Sequence, residues 1–406
     1  MLKTLLKRQQ AGNGDAPGWF STIQDFEELD LDIVGILAIL GEGSVLSNAQ
    51  VSTLSNWIFL PRLLPAPHAM LRVSRPNRLE SVQGRVTGVV SGNDRDELNH
   101  IGDIVLDTGS LKPFDVRVVE IVRHDEAPVV KTHNFSWLTV NICLGCAFSI
   151  ALLVLSVIWE DGMGLIATGT LSLLSTVIGV GNKWTLKLPT RRNPGGTAPR
   201  GDVVIRHPRG SFLIVKCEED IAREIFFAPE TIEYLVSDLK MYRLISLVGS
   251  FLLMVGVICL ANAKTKTQVS FAAAFLILNA TYWLVAALPS RKHWNTSAFK
   301  TRKHKIKLPE HAEKEICSHT TFTQALWTAI AVTKRTGWVQ LGEAAPKTKV
   351  WDEWLREARE MVENVKLGGT PKVMTYEIPK WDPQGRLNSL LSDKSLSEME
   401  NMYDNA

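Results

Sequence analysis

Cysteine is scarce in this chain. There are five in 406 residues, an odd number, and Cys143, Cys146 and Cys259 sit inside apolar runs, so a secreted disulfide framework is excluded. An excess of one charge is missing too. Against 45 Lys and Arg stand 42 Asp and Glu, a formal net charge of +3, which gives no whole-chain reason to expect a nucleic-acid partner. Charged residues make up only 21% and hydrophobic ones 45%, and mean hydropathy is +0.04. A chain this apolar is not wholly disordered, and some part of it avoids water. Chemical signatures are absent as well. We find no G-x-x-x-x-G-K-S/T phosphate loop, no G-x-G-x-x-G after a strand, no G-x-S-x-G elbow and no H-E-x-x-H pair. The common nucleotide and hydrolase chemistries therefore have no foothold, and no catalytic residue or cofactor is expected.

What is present in quantity is apolar sequence of bilayer length. The runs 135–159, 162–181, 244–263 and 269–288 contain no Asp, Glu, Lys, Arg or His. At ~1.5 Å per residue, each reaches across a hydrocarbon core of ~30 Å. Trp137, Trp159, Trp184, Tyr242, Tyr282 and Trp283 lie at or near the ends, where amphipathic rings favour the headgroup layer. Only Glu160 and Asp161 separate the first two runs, and 264–268 separates the last two. The expected fold is an α-helical membrane protein with four transmembrane helices in two tight hairpins, plus a mixed α/β, antiparallel-sheet cytoplasmic module.

Orientation follows from the basic residues. Three lie in the flank 115–134 before the first run (Arg117, Arg123, Lys131), eleven in 182–243 and seven in 289–308 after the last run, while the opposite side carries only Lys264 and Lys266. Basic flanks stay cytoplasmic, so both termini and the middle segment are expected there. None of the glycosylation sequons at Asn134, Asn279 and Asn295 would then face a lumen. The first ten residues carry Lys3, Lys7 and Arg8 but no apolar core for a secretory signal. Leu2, Leu5 and Leu6 beside those bases resemble the start of a mitochondrial presequence, yet acids follow from Asp15, so an endomembrane or the plasma membrane is favoured.

The organisation expected is an N-terminal cytoplasmic region 1–134, β-rich over 70–130; a hairpin 135–181; a cytoplasmic α/β segment 182–243; a second hairpin 244–288; a basic and helical region 289–383; and a disordered tail 384–406 rich in Asn, Ser, Asp and Glu. Strands are expected at 86–90, 104–106, 116–122, 203–206 and 212–217, with Pro208-Arg209-Gly210 as a hairpin turn. The stretch 220–240 reads as a helix broken at Pro229. Trp351, Trp354, Leu355, Ala358, Met361, Val362 and Val365 recur at helical steps, with Gly368-Gly369 as the stop. The apolar segment 322–332 is half a span long and is expected to be interfacial or buried. Ser175 and Gly179, and Ser246 and Ser250, give small faces for close helix contact.

Few residues suggest chemistry. Ile104-Val105-Leu106-Asp107-Thr108-Gly109-Ser110 resembles the strand and Asp-Thr-Gly of aspartic proteases, which implies an Asp107 carboxylate sharing a proton with a second one. No second such motif occurs and Leu111-Lys112-Pro113-Phe114 departs from the family's pattern, so a strand ending in an Asx turn is the expected reading. Cys143 and Cys146 form Cys-x-x-C within an apolar run, where thiolates are disfavoured and small packing residues are expected. Cys317 with His311 and His319 falls short of a four-ligand metal site, so no metal is expected. Asn141 and Asn279 are the intramembrane polar residues, suited to bonds between helices. Arg291, Lys292, Lys300, Arg302, Lys303, Lys305 and Lys307 follow the last run directly, a cluster that attracts anionic headgroups at about 1 kcal/mol per residue. The function expected is a non-catalytic scaffold that recruits a protein partner at a membrane with anionic lipid. The alternative is a membrane-bound enzyme or carrier for an apolar small molecule, sited between the spans and the sheet.

Overall fold

A computed structural model describes residues 42–404, apart from 72, 125–130, 134, 189–198, 310 and 371–372. The expectations for 1–41 and for the Asn134 sequon lie outside the described residues. The chain enters on α1 (Glu42–Leu54), a 3-10 turn at Asn56–Phe59 and α2 (Pro67–Leu71). β1 (Val82–Gly88), β2 (Asp94–Leu98), α3 (His100–Leu106), β3 (Asp115–Arg123) and β4 (Lys131–Thr132) lead to two long apolar helices, α4 (Trp137–Ile158) and α5 (Gly162–Asn182). Next come β5 (Trp184–Lys187), β6 (Val203–Arg206), β7 (Phe212–Lys216), α6 (Glu219–Ala222) and β8 (Thr231–Tyr234), before the second long pair, α7 (Leu239–Ala261) and α8 (Thr265–Ala286). β9 (Trp294–Asn295), β10 (Phe299–Lys307), β11 (Ile316–Ser318), α9 (Phe322–Thr333), α10 (Gly337–Leu341), α11 (Lys349–Val362), β12 (Lys366–Thr370), β13 (Val373–Glu377) and α12 (Pro383–Asp404) complete it.

Among the described residues, four helices are long and apolar enough to cross a membrane: α4, α5, α7 and α8. Their outer faces expose Ile150, Val154, Leu247, Phe251, Met254 and Leu284, more contiguous apolar surface than a water-solvated bundle leaves uncovered. Their inner faces bury Leu152, Leu171, Leu174, Phe271, Phe275 and Leu278. Ser136 and Thr139 form a capping box at the start of α4. Asp161 caps α5, accepting from the Gly164 amide at 3.0 Å. Its other oxygen accepts from the Lys264 amide at 2.9 Å, and Lys264 Nζ donates to the Trp159 carbonyl at 2.6 Å. The α4–α5 and α7–α8 turns are thereby latched together at one end, while the sheet lies at the other. α5 packs on α4, α7 along α5 and α8 along α4.

The small faces of α4 and α5 receive chain from outside the four runs. A Cβ at Gly145 would stand 2.7 Å from the Leu63 carbonyl oxygen, and one at Gly179 only 2.6 Å from that of Ile58. The Leu63 amide donates to the Gly145 carbonyl at 3.2 Å and the Arg62 amide to Ser175 Oγ at 3.0 Å. Residues 56–66 thus enter the bundle and carry a charge with them. Arg62 is 2% exposed, and its Nη1 donates to the Ile58 and Leu60 carbonyls at 3.0 and 3.4 Å. Lys183 Nζ likewise donates to the Leu54 carbonyl at 2.6 Å and Asn56 Oδ1 at 3.0 Å. Both cations satisfy carbonyls left over at helical C-termini, where positive charge is favoured.

The main sheet runs β12-β13-β10-β3-β7-β6-β1-β2, with β11 also beside β3. The strands of 82–123 and 203–216 therefore share one sheet. It is mixed rather than antiparallel, because β3 pairs with β7, and β10 with β13, in parallel. The first parallel pair has the long crossover that such pairs need, since α4, α5, β5 and β6 intervene before β7 begins. One face buries Val86, Ile101, Val119, Val215 and Phe226, and the other Val116, Phe212, Ile306, Ile330 and Trp354.

Several expectations are corrected. Residues 104–106 belong to α3, whose Ile101, Ile104 and Val105 meet the core at helical spacing. Before α7 begins at Leu239, the helical part of 220–240 is the one-turn α6 and a π turn at Arg223–Phe227, after which β8 pairs with β5. Beyond Pro229 the alternation of Ile232 with exposed Thr231 and Glu233 wins. Gly368 and Gly369 do not stop α11 but lie in β12, hairpinned to β13. The tail 384–404 is helical in α12, because Leu387 enters the Trp354 core and Arg386 pairs with Glu357 at 2.8 and 2.6 Å. The α9 helix is buried against the sheet, and Gly210, with φ +76°, closes the expected β6–β7 turn.

Candidate functional site

Most of the basic cluster falls on β10 and meets acids from its neighbours. Arg302 is 3.4 Å from Glu120, Lys303 3.5 Å from Glu315, Lys305 3.5 Å from Glu313, and Lys307 2.9 Å from Glu377. Arg291 approaches Asp107 at 3.9 Å. Lys300 is exposed, while Lys292 lines a groove at the start of α4 with Trp57, Phe135 and Trp137. Asp107 ends α3 in the left-handed conformation, so the strand that the protease resemblance implies is not there.

The remaining candidates are scattered. Cys143 is exposed on α4 and Cys146 half-buried. Cys317 is buried, which pushes its thiol up to about 11. Burial pulls His319 down to about 4, with Nε2 3.1 Å from Thr328 Oγ1, and His311 Nδ1 lies 2.8 Å from the Pro309 carbonyl. Among the described residues, no group of three or more His, Cys, Asp or Glu could hold a metal ion. Asn279 Oδ1 accepts from Ser44 Oγ at 2.7 Å, tying α8 to α1. Asn141 is buried, and its Nδ2 has no partner among the described residues.

A cavity of about 620 Å³ opens between α1, the end of α5, the β5–β8 ribbon and the segment 73–81, within the range of small-molecule sites. Its apolar wall includes Leu46 and Ala49 of α1, Trp184 of β5 and Ile232 of β8. Trp184 is fixed there because Nε1 donates to the Gln50 carbonyl at 3.0 Å and Thr53 Oγ1 at 2.9 Å. Arg75 holds its guanidinium over two rings, 3.9 Å from the Tyr234 centroid and 4.2 Å from that of Tyr242. Its Nη2 donates to the Val236 carbonyl at 2.6 Å. Burial raises the Tyr234 phenol, against the opposing pull of Arg75, and the hydroxyl donates to the Pro76 carbonyl at 3.1 Å. Asn182, 4% exposed, donates through Nδ2 to the Met70 and Ile178 carbonyls, both at 3.1 Å. Two buried atoms on these lining side chains lack partners among the described residues: the donor Arg75 Nε and the acceptor Asn182 Oδ1.

The chain matches no known family. Comparison with protein-family models, with curated proteins and with solved structures finds no match. Function must therefore be read from geometry. The cavity is invisible in the sequence because five separate segments build it, and the signal near it is the aromatic pair Trp184 and Tyr242 flanking the apolar runs.

A second feature is the edge of the sheet. All five residues of β12 are exposed, and Leu367, Val373 and Met374 stand open at 56%, 37% and 37%. The opposite edge, β2, is blocked by Asp94, Arg95, Asp96 and Glu97, the usual protection against strand addition.

Proposed function

We propose that the protein is a non-catalytic, multi-pass membrane scaffold. On this reading α4, α5, α7 and α8 span the bilayer as two hairpins. The sheet and both termini face the cytoplasm at an endomembrane or the plasma membrane, and the sheet recruits a partner protein. The observation that carries the recruiting role is the β12 edge, which offers unpaired backbone groups beside exposed Leu367 and carries one charge, Lys366, against the four that close β2. Such an edge takes an extended segment as an added strand. Attraction to anionic lipid rests on Lys292 and Lys300, because Arg291 and the four cations from Arg302 to Lys307 stand near carboxylates.

The test is mild-detergent purification of the full chain and of a Leu367→Lys, Met374→Lys variant from the natural membrane. Loss of a stoichiometric partner with unchanged membrane placement is expected. Retention of every partner by the variant would refute recruitment at this edge, and glycan on Asn295 would overturn the orientation.

A further inference from the structure

We infer that the groove at the start of α4 holds one anionic phospholipid, with its phosphate at the mouth and an acyl chain along the helix. The inference rests on the reading of α4 as a membrane span, and it gives the attraction to anionic lipid one defined place. The groove encloses about 670 Å³ between the first turns of α4 and the 3-10 turn Asn56–Phe59. Its second wall is fixed by packing elsewhere. The Ile58 carbonyl stands over Gly179 of α5. The neighbouring Trp57 amide donates to Ser55 Oγ at 3.3 Å, and its carbonyl accepts from the Leu60 amide at 3.1 Å. A groove already formed loses little freedom when it is filled.

The apolar lining follows one strip of the helix. Trp137, Val140 and Cys143 recur at steps of three, so at ~1.5 Å per residue the strip runs ~9 Å from the mouth into the apolar span. Phe135 is 88% exposed and Trp137 60%, and with Trp57 they form an aromatic patch at the end of a helix of bilayer length. Such rings sit at the headgroup level. An acyl chain covers the strip below them.

The mouth is positive and nothing opposes it. Lys292, in the turn Ser290–His293 after the last apolar helix, lines it with His133, and no Asp or Glu is among the lining residues. Arg291 stands 3.9 Å from Asp107, while Lys292 has no carboxylate within ion-pair distance among the described residues. The dipole of the 22-residue α4 adds its positive end at the same place. A phosphate of net negative charge suits this mouth. A zwitterionic head brings an ammonium for which no carboxylate is present, and a neutral head leaves Lys292 without a counter-charge.

The experiment is native mass spectrometry of the full chain, delipidated in maltoside and titrated in turn with phosphatidylglycerol and phosphatidylcholine of the same acyl chains. Expected is one phosphatidylglycerol retained per chain, with phosphatidylcholine at least about tenfold weaker, the effect of losing one charge-assisted contact. Lys292→Gln should weaken phosphatidylglycerol about tenfold and Lys292→Arg should keep it, while Lys300→Gln, outside the groove, leaves it unchanged. Cys143→Trp fills the groove from an exposed position and should abolish binding with thermal unfolding unchanged. Equal retention of the two lipids would mean ordinary boundary lipid and overturn the proposal. Full binding by Cys143→Trp, or a loss in Lys300→Gln equal to that in Lys292→Gln, would overturn it as well. Carbonate extraction from the natural membrane separates two failures. A chain that is stripped off overturns the span reading and this site with it, whereas a chain that stays embedded yet retains no phosphatidylglycerol overturns the site alone.

Discussion

Replacing Glu230 by Gln should stabilise the protein at pH 8 and leave it almost unchanged at pH 5. The Glu230 side chain is 4% exposed, and its Oε1 accepts from the Ile101 amide at 2.8 Å at the start of α3. Burial drives its carboxyl from 4.5 to about 7, against hydrogen bonds from the Ile101 and His100 amides and the charge of Arg95, which pull the other way. Desolvation wins because two amides and one half-buried guanidinium replace less than the hydration lost. Between pH 4.5 and 7 the folded state holds the proton that the unfolded state has released, so stability falls as pH rises through this window. At 1.36 kcal/mol per pKa unit, the cost above pH 7 is about 3 kcal/mol. The glutamine keeps an acceptor for Ile101 but never ionises. Thermal unfolding of the wild-type chain and Glu230→Gln in one detergent, at pH 5 and pH 8, checks this. A shift of several degrees in favour of the variant at pH 8 alone is expected. Equal melting shifts at both pH values, or a less stable variant at pH 8, would refute the claim that burial outweighs the two amides.

Three further outcomes follow from other contacts. Gly179→Ala puts a Cβ 2.6 Å from the Ile58 carbonyl oxygen and should cost about 1–3 kcal/mol of stability, read as a lower melting temperature with increased proteolysis at 56–66. His319, lowered to about 4 by burial, contributes stability that is present above pH 6.5 and lost as pH falls towards 4. His319→Gln should flatten that acid limb by about 3 kcal/mol, opposite in sign to Glu230 over nearly the same range. Asp161→Leu removes the acceptor for the Gly164 and Lys264 amides and should lower stability by about 2 kcal/mol, with faster hydrogen exchange at both helix turns; unchanged exchange would show the latch to be idle.

The four apolar helices were legible in the sequence because each run is a local property. Length, absence of charge and the caps at Ser136 and Asp161 all lie within one short window, and tertiary structure has no cheaper way to satisfy so many apolar residues than a helix. The β6–β7 hairpin was equally local, set by Pro208-Arg209-Gly210 between two apolar runs. Errors came where a short segment's fate depended on what it packs against. Residues 104–106 read as a strand from their β-branched run, and the side of the sheet that receives Ile101 and Val105 decided for helix. Beyond residue 384 the composition is polar, yet Leu387 found the Trp354 core.

The candidate site and the charge logic belonged wholly to the tertiary structure. The seven cations after the last apolar run look like one basic patch in sequence, but strand pairing sets Arg302, Lys303, Lys305 and Lys307 opposite carboxylates up to about 180 residues away. Arg62 lies outside every apolar run, and only the close approach allowed at Gly145 and Gly179 brings it inside the bundle. The cavity needs Leu46, Arg75, Asn182 and Tyr234 together. By itself the sequence determined which parts avoid water, because hydrophobicity adds up along the chain. Only the fold decided which polar groups are left without partners, because a hydrogen bond depends on what stands within 3 Å in space.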